Sequence, residues 1–188
     1  MLIRFFPLLF AFPLLVFLPA CSASAGKSDD SNRDTVMDHP SAPPVPGFES
    51  VAEDLDPIEK SPEAWREILT PEQFRILREE GTERAGTSPL NEETREGVYR
   101  CAGCGLALFH SRQKFDSRTG WPSFTAPLHA QHIGDKVDRS FLMRRIEVHC
   151  VRCGGHLGHV FEDGPEPTGL RYCLNGLALT FDPTDPQD

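Results

Sequence analysis

Two cysteine pairs constrain this chain more than any other feature: "CAGCG" at 101–105 and "CVRCGG" at 150–155. Each is Cys-x-x-Cys followed at once by glycine. A turn that aims two thiolates inward needs a residue tolerant of positive φ after the second sulfur, and glycine tolerates it. Cys101, Cys104, Cys150 and Cys153 together supply four thiolates, the set that suits tetrahedral Zn²⁺ and leaves no open position for substrate or water. Residues 105–149 separate the pairs, a longer span than in small zinc fingers. The metal would therefore staple two distant hairpins and serve structure. The rival reading is redox, since in an oxidising compartment each pair can close as a disulfide. His149, beside Cys150, is the obvious spare ligand.

Around the knuckles, local patterns set the fold class. "SPEAWREIL" offers Ser61 as N-cap and Pro62 at the first helical position, with Trp65, Ile68 and Leu69 on one face. "TPEQFRILREEG" repeats the device: Thr70 and Gln73 form a capping-box pattern, and Gly81 stands just past the end. After about Thr82 strands and turns take over, with "FLMRRIEVHC" (141–150), "HLGHVFE" and "LRYCLNGLALTF" as strands. The class is mainly antiparallel β with short helices on the N-terminal side. In the last strand, alternation puts Arg171, Cys173 and Asn175 on one face, and Tyr172 and Leu174 on the other. Cys173 therefore shares a polar face.

The N-terminus carries an address. Arg4 precedes an apolar run to Ala20, which reads as a signal peptide over 1–20. "LPAC" resembles the lipobox of bacterial lipoproteins, making Cys21 the candidate acylated residue of an extracytoplasmic, membrane-anchored protein of the cell envelope. Pro19 departs from the usual lipobox residue. Residues 21–60, acidic and rich in Ser and Pro, read as a disordered linker, although Phe48 and Val51 are apolar enough to dock. The domain occupies 61–182 and a tail 183–188. A net charge of −9 gives a nucleic-acid partner no electrostatic support.

"KFDSRTGWPSF", "CVRCGGHLGHVFEDGPEPTGLRYCLN" and the two knuckles closely resemble the B-type peptide methionine sulfoxide reductases, which act on the R epimer at sulfur. The similarity runs from about Ser61 to Phe181. It implies a barrel-like pair of antiparallel sheets, with a structural zinc held by the four knuckle cysteines away from the site. By the same resemblance Cys173 is the nucleophile, Trp121 packs against the substrate S-methyl group with Phe161 nearby, and His156, His159, Asn175 and Arg171 complete the site. Three departures stand out. Thr119 occupies the position where many members carry a resolving cysteine, Arg118 replaces the usual preceding glycine, and Gly176 replaces a common serine.

The chemistry asks for these residue types. A thiolate must attack the electrophilic sulfoxide sulfur, and a free thiol near pKa 8.5 is mostly protonated at neutral pH. Arg171, two residues away on one strand, can stabilise the thiolate. The sulfoxide oxygen must be protonated as its bond weakens, which suits a histidine, His159 first and His156 second. Methionine and a Cys173 sulfenic acid result. With Thr119 in the resolving position, an external thiol such as a thioredoxin-like protein is the expected reductant, unless an unacylated Cys21 reaches the site. Two other classes compete: a zinc-ribbon binding module without catalysis, and a thiol–disulfide exchanger working through the CxxC pairs.

Overall fold

The computed structural model describes residues 37, 39–44, 55–140 and 143–184. The signal peptide over 1–20, Cys21, Phe48, Val51 and the last four residues of the tail lie outside the described residues. Within the stretch read as a linker, the described residues reach onto the domain. His39 and Ala42 are buried, Ala42 N donates to Pro127 O, and Ile58 N donates to Arg152 O.

Both helices form as the capping signals require. α1 spans Pro62–Ile68 with the Ser61 side chain accepting from Ala64 N. α2 spans Pro71–Glu79 with the complete Thr70–Gln73 capping box. Reciprocal capping satisfies amide donors that a short helix otherwise leaves without partners. Two details differ from the sequence reading. Ile68, the last residue of α1, is 56% exposed, while Trp65 and the extended C-cap Leu69 are buried. The left-handed residue at the end of α2 is Glu80, at φ 54, one position before Gly81.

Among the described residues nine strands form two antiparallel sheets. β1 (Gly97–Cys101), β2 (Ala107–His110) and β9 (Leu179–Pro183) make the smaller, in the order β2-β1-β9. The larger contains β3 (Lys114–Phe115), β4 (Ser123–Phe124), β5 (Ile133–Asp138), β6 (Arg145–Cys150), β7 (His156–Phe161) and β8 (Arg171–Leu174). Its order is β3-β4-β8-β7-β6-β5. The mainly β class holds, but the two sheets do not close into a barrel.

"LRYCLNGLALTF" is two strands, not one: a 3₁₀ turn at Gly176–Ala178 sends β8 into one sheet and β9 into the other. "FLMRRIEVHC" is a strand only from Arg145. Met143 N donates to Ser140 O and Arg145 pairs with Asp138, so Met143 and Arg144 belong to the β5–β6 connection, while Phe141 and Leu142 lie outside the described residues.

The sheets meet through aromatics. Tyr99 and Phe109 of the smaller sheet meet Phe124 and Tyr172 of the larger. Tyr99 contacts Phe124 edge-on with centroids 4.8 Å apart, and Phe109 stacks on Phe124 at 4.7 Å. All four rings are buried, each contributing roughly 2–3 kcal/mol from the area it removes from water. Tyr172 and Leu174 of β8 therefore point into this core, and that fixes Cys173 on the opposite face.

Candidate active site and metal centre

The four knuckle cysteines converge, their sulfurs all lying within 4.8 Å of one another. Cys101 and Cys153 Sγ are 3.6 Å apart, and Cys104 and Cys150 Sγ are 3.5 Å apart. Tetrahedral zinc at about 2.3 Å from each sulfur needs sulfurs roughly 3.8 Å apart. The donors therefore fit that ion.

The two knuckles share one hydrogen-bond pattern. Gly105 N donates to Cys101 O at 2.8 Å, as Gly154 N does to Cys150 O at 2.8 Å. Gly105 and Gly154 have φ 78 and 65, the positive values for which the glycines were read. α2 braces the second knuckle, with Arg78 Nη1 donating to Cys153 O at 2.8 Å. No knuckle cysteine is in a disulfide, and His149 stands outside the cluster.

Cys173 lies elsewhere, at the centre of the larger sheet. β4 and β7 flank β8, so Ser123 and His159 are its register partners. It opens on a small cavity of about 120 Å³ lined by Trp121, Arg145, His159, Phe161 and Asn175, among others. Trp121 also borders a larger cavity of about 720 Å³ whose lining includes Lys114, Asp116 and Arg118. Of the residues nominated from sequence, Trp121, Phe161, His159, Cys173 and Asn175 share the small cavity. Arg171 and His156 do not line it; each packs against a residue that does, Arg171 on Phe161 and His156 on His159, whose ring centroid is 5.6 Å away.

Each remaining member has a defined partner. Arg171 forms a bidentate pair with Asp163, both bonds at 2.8 Å, and its guanidinium lies 4.4 Å from the Phe161 ring centroid. The Asp163 bonds, and then the charge of a Cys173 thiolate, hold the Arg171 pKa above its ordinary value. His159 Nε2 is 2.9 Å from Asp138 Oδ2, which also accepts from Arg145 at 2.6 Å. Burial pushes the His159 pKa below the usual imidazole value. The Asp138 bond opposes that, while Arg145 and His156 add to it. Burial acts to raise the Asp138 pKa, yet bonds from Ser140, His159 and Arg145 together hold it below the carboxylate range. His156 Nδ1 lies 3.0 Å from the buried Glu147, and Asn175 donates to Leu157 O at 3.1 Å.

Thr119 Oγ1 is 3.8 Å from Cys173 Sγ, so residue 119 touches the sulfur. Arg118 adopts φ 57, the left-handed backbone that glycine takes without cost. At Gly176 a Cβ would collide with the side chain of Ser88, so the missing serine and the presence of Ser88 belong together.

Sequence reasoning missed the carboxylates. Glu83, buried, accepts from Gly176 N at 2.6 Å and Leu177 N at 2.9 Å, and its own N–H donates to Asn175 Oδ1 at 2.9 Å. Its carbonyl accepts from Trp121 Nε1 at 3.2 Å. Nothing in "GTERAGT" signals this. Arg145 and Glu147 did carry a signal, two charges alternating with Ile146 and Val148 along one strand.

A family model described as the SelR domain matches residues 69–183. Proteins named peptide methionine sulfoxide reductase MsrB are similar at high identity. That of Methanosarcina barkeri is 54% identical over 124 residues, 66% of this chain and 87% of its own. That of Thiobacillus denitrificans is 55% identical over 126 residues, 67% of this chain and 96% of its own. That of Pseudomonas putida is 50% identical over 128 residues, 68% of this chain and 98% of its own.

Proposed function

We propose that this chain, which belongs to the SelR-domain family of peptide methionine sulfoxide reductases, reduces the R epimer of methionine sulfoxide in peptides and proteins with Cys173 as nucleophile. The observation that carries the reading is the company of that thiol. Cys173 shares one small cavity with two aromatic walls, Trp121 and Phe161, and with His159.

The chemistry follows from those neighbours. The Cys173 thiolate, favoured by the Arg171 charge, attacks the sulfoxide sulfur while Trp121 and Phe161 receive the S-methyl end. Protonation of the sulfoxide oxygen lets the S–O bond break. His159, held by Asp138, is the donor that lines the cavity, and His156 stands behind it. Attack forms an S–S bond as the protonated oxygen leaves as water; water then adds to Cys173 Sγ, the S–S electron pair passes to the substrate sulfur, and methionine and a Cys173 sulfenic acid result.

Thr119 cannot form a disulfide, so an external thiol must attack that sulfenic acid and release water. A second thiol then frees Cys173 and leaves the reductant as its own disulfide. A thioredoxin-like protein fits this role. Zinc held by Cys101, Cys104, Cys150 and Cys153 ties the β1–β2 and β6–β7 connections and contributes folding energy only.

The test uses separated R and S epimers of a methionine sulfoxide peptide with dithiothreitol, following methionine formation. Turnover of the R epimer alone, abolished by Cys173→Ser with zinc content unchanged, is the expected result. A thiol–disulfide exchanger would survive Cys173→Ser, and a binding module would turn over neither epimer. An extracytoplasmic, lipid-anchored location rests on the sequence of residues 1–21 alone. Failure of the full chain to take up a palmitate analogue would refute the anchor, and uptake that Cys21→Ala does not abolish would refute Cys21 as its site.

A further inference from the structure

A chain of hydroxyls runs away from Cys173. Cys173 Sγ is 3.8 Å from Thr119 Oγ1, Thr119 Oγ1 is 2.8 Å from Ser117 Oγ, and Ser117 Oγ is 2.7 Å from Ser123 Oγ. Ser123 Oγ donates to Trp121 O at 3.1 Å. The far end is a carbonyl, which only accepts.

Each hydroxyl owns one hydrogen, and that fixes the direction of every link. The Ser123 hydrogen is committed to Trp121 O, so the Ser117 hydrogen must go to Ser123. The Ser117 oxygen then accepts from Thr119, whose backbone N–H also reaches it at 3.4 Å. Thr119 has no hydrogen left to offer, and its oxygen can only accept from the S–H of Cys173. Hydrogen bonding to a thiolate requires the reverse sense, with Thr119 donating to sulfur, Ser117 to Thr119 and Ser123 to Ser117. That reversal forfeits the bond to Trp121 O.

We propose that Ser117 and Ser123 are positioning residues that act through Thr119 to hold resting Cys173 as a thiol with its S–H turned away from the cavity. The chain is an orienter, not an exit path, because a proton passed along it would arrive at a carbonyl that cannot keep it. The thiol proton must therefore leave on the cavity side. Anchoring on Trp121 couples the arrangement to the residue that walls the substrate.

The proposal rests on the reading of Cys173 as nucleophile and adds a control on its ionisation. The charged and titratable groups facing Cys173 are Arg171 with Asp163 on its own strand and the adjoining loop, His159 on β7, and Arg145 on the cavity wall. β4, on the other side, presents the hydroxyl of Ser123 at the paired position.

The experiment measures iodoacetamide alkylation of Cys173 against pH in the full zinc-loaded chain, read by peptide mapping. Ser117→Ala and Ser123→Ala each free Thr119 to donate to the thiolate. The alkylation midpoint should fall by about half a pH unit, a roughly three-fold faster reaction on the acid side. Thr119→Val removes the route, so Thr119→Val/Ser123→Ala should match Thr119→Val alone. A midpoint unmoved or raised in both serine variants overturns the proposal. So does a double variant that still shows the Ser123→Ala shift. Alkylation needs no turnover, so it separates this proposal from the reductase reading, which the epimer assay decides on its own.

Discussion

Glu83→Gln is nearly isosteric, yet the structure makes it a severe change. Both oxygens of the buried Glu83 side chain accept backbone N–H groups, Gly176 at 2.6 Å and Leu177 at 2.9 Å. Glutamine keeps one acceptor and turns an NH₂ toward the other N–H, so one bond is lost and two donors face each other. A bond from N–H to a charged acceptor contributes about 1.5–3 kcal/mol, and a buried donor without a partner costs about 1–3 kcal/mol. Allowing for relaxation, Glu83→Gln should cost roughly 2–4 kcal/mol, close to Glu83→Ala. Urea unfolding at matched zinc concentration measures it, with the m value checked for constancy. The segment Asn175–Leu177 begins two residues after Cys173, and Trp121 hangs from the Glu83 carbonyl, so kcat/KM should fall alongside stability. A Glu83→Gln midpoint within experimental error of the parent would refute this account of the buried carboxylate.

Three other outcomes follow from the same geometry. Thr119→Cys puts a thiol where Oγ1 is 3.8 Å from the Cys173 sulfur, so one turnover without reductant should yield a 119–173 disulfide by mass spectrometry. Persistence of the sulfenic acid would show that the two positions cannot bond. Arg118→Gly relieves a left-handed backbone at φ 57 at some cost in unfolded-state entropy, and should gain about 0.5–1 kcal/mol in urea unfolding. Arg145 lowers the His159 pKa and Asp138 raises it. Arg145→Met should therefore move the His159 NMR titration to higher pH and Asp138→Asn to lower pH, and a reversed order would remove Asp138 as the partner of His159.

Elements governed by local chemistry were legible in the sequence. The N-caps of both helices and the glycines of both knuckles each depend on neighbours a few residues away, and they appear where the residues require. Alternation along 171–174 told which way Cys173 faces, because Tyr172 and Leu174 had to enter the core. The errors have one physical source. Whether "LRYCLNGLALTF" runs straight or turns depends on what receives Asn175 and Gly176, namely Leu157, Glu83 and Ser88, all distant in sequence. Asp138 was illegible for the same reason. A carboxylate acquires meaning only when strand pairing brings it to a histidine, and β5 itself was not anticipated.

That pairing also explains why the two histidines of β7 differ from the thiol in electrostatic setting. Asp138 stands between His159 and Arg145, and Glu147 between His156 and Lys136. Each carboxylate is thus shared with a cation, so neither histidine receives the full pull of a lone buried anion. At His159 burial then prevails over the pull of Asp138 and holds the imidazole pKa below its ordinary value. Cys173 has the opposite arrangement. Its nearby cation, Arg171, is paired with an Asp163 whose side chain is 63% exposed, where water weakens the pair and leaves part of the guanidinium field for the sulfur. Arg171→Met should therefore slow Cys173 alkylation at neutral pH while leaving the His159 titration nearly in place. Equal shifts in both would mean that the two groups titrate as one unit.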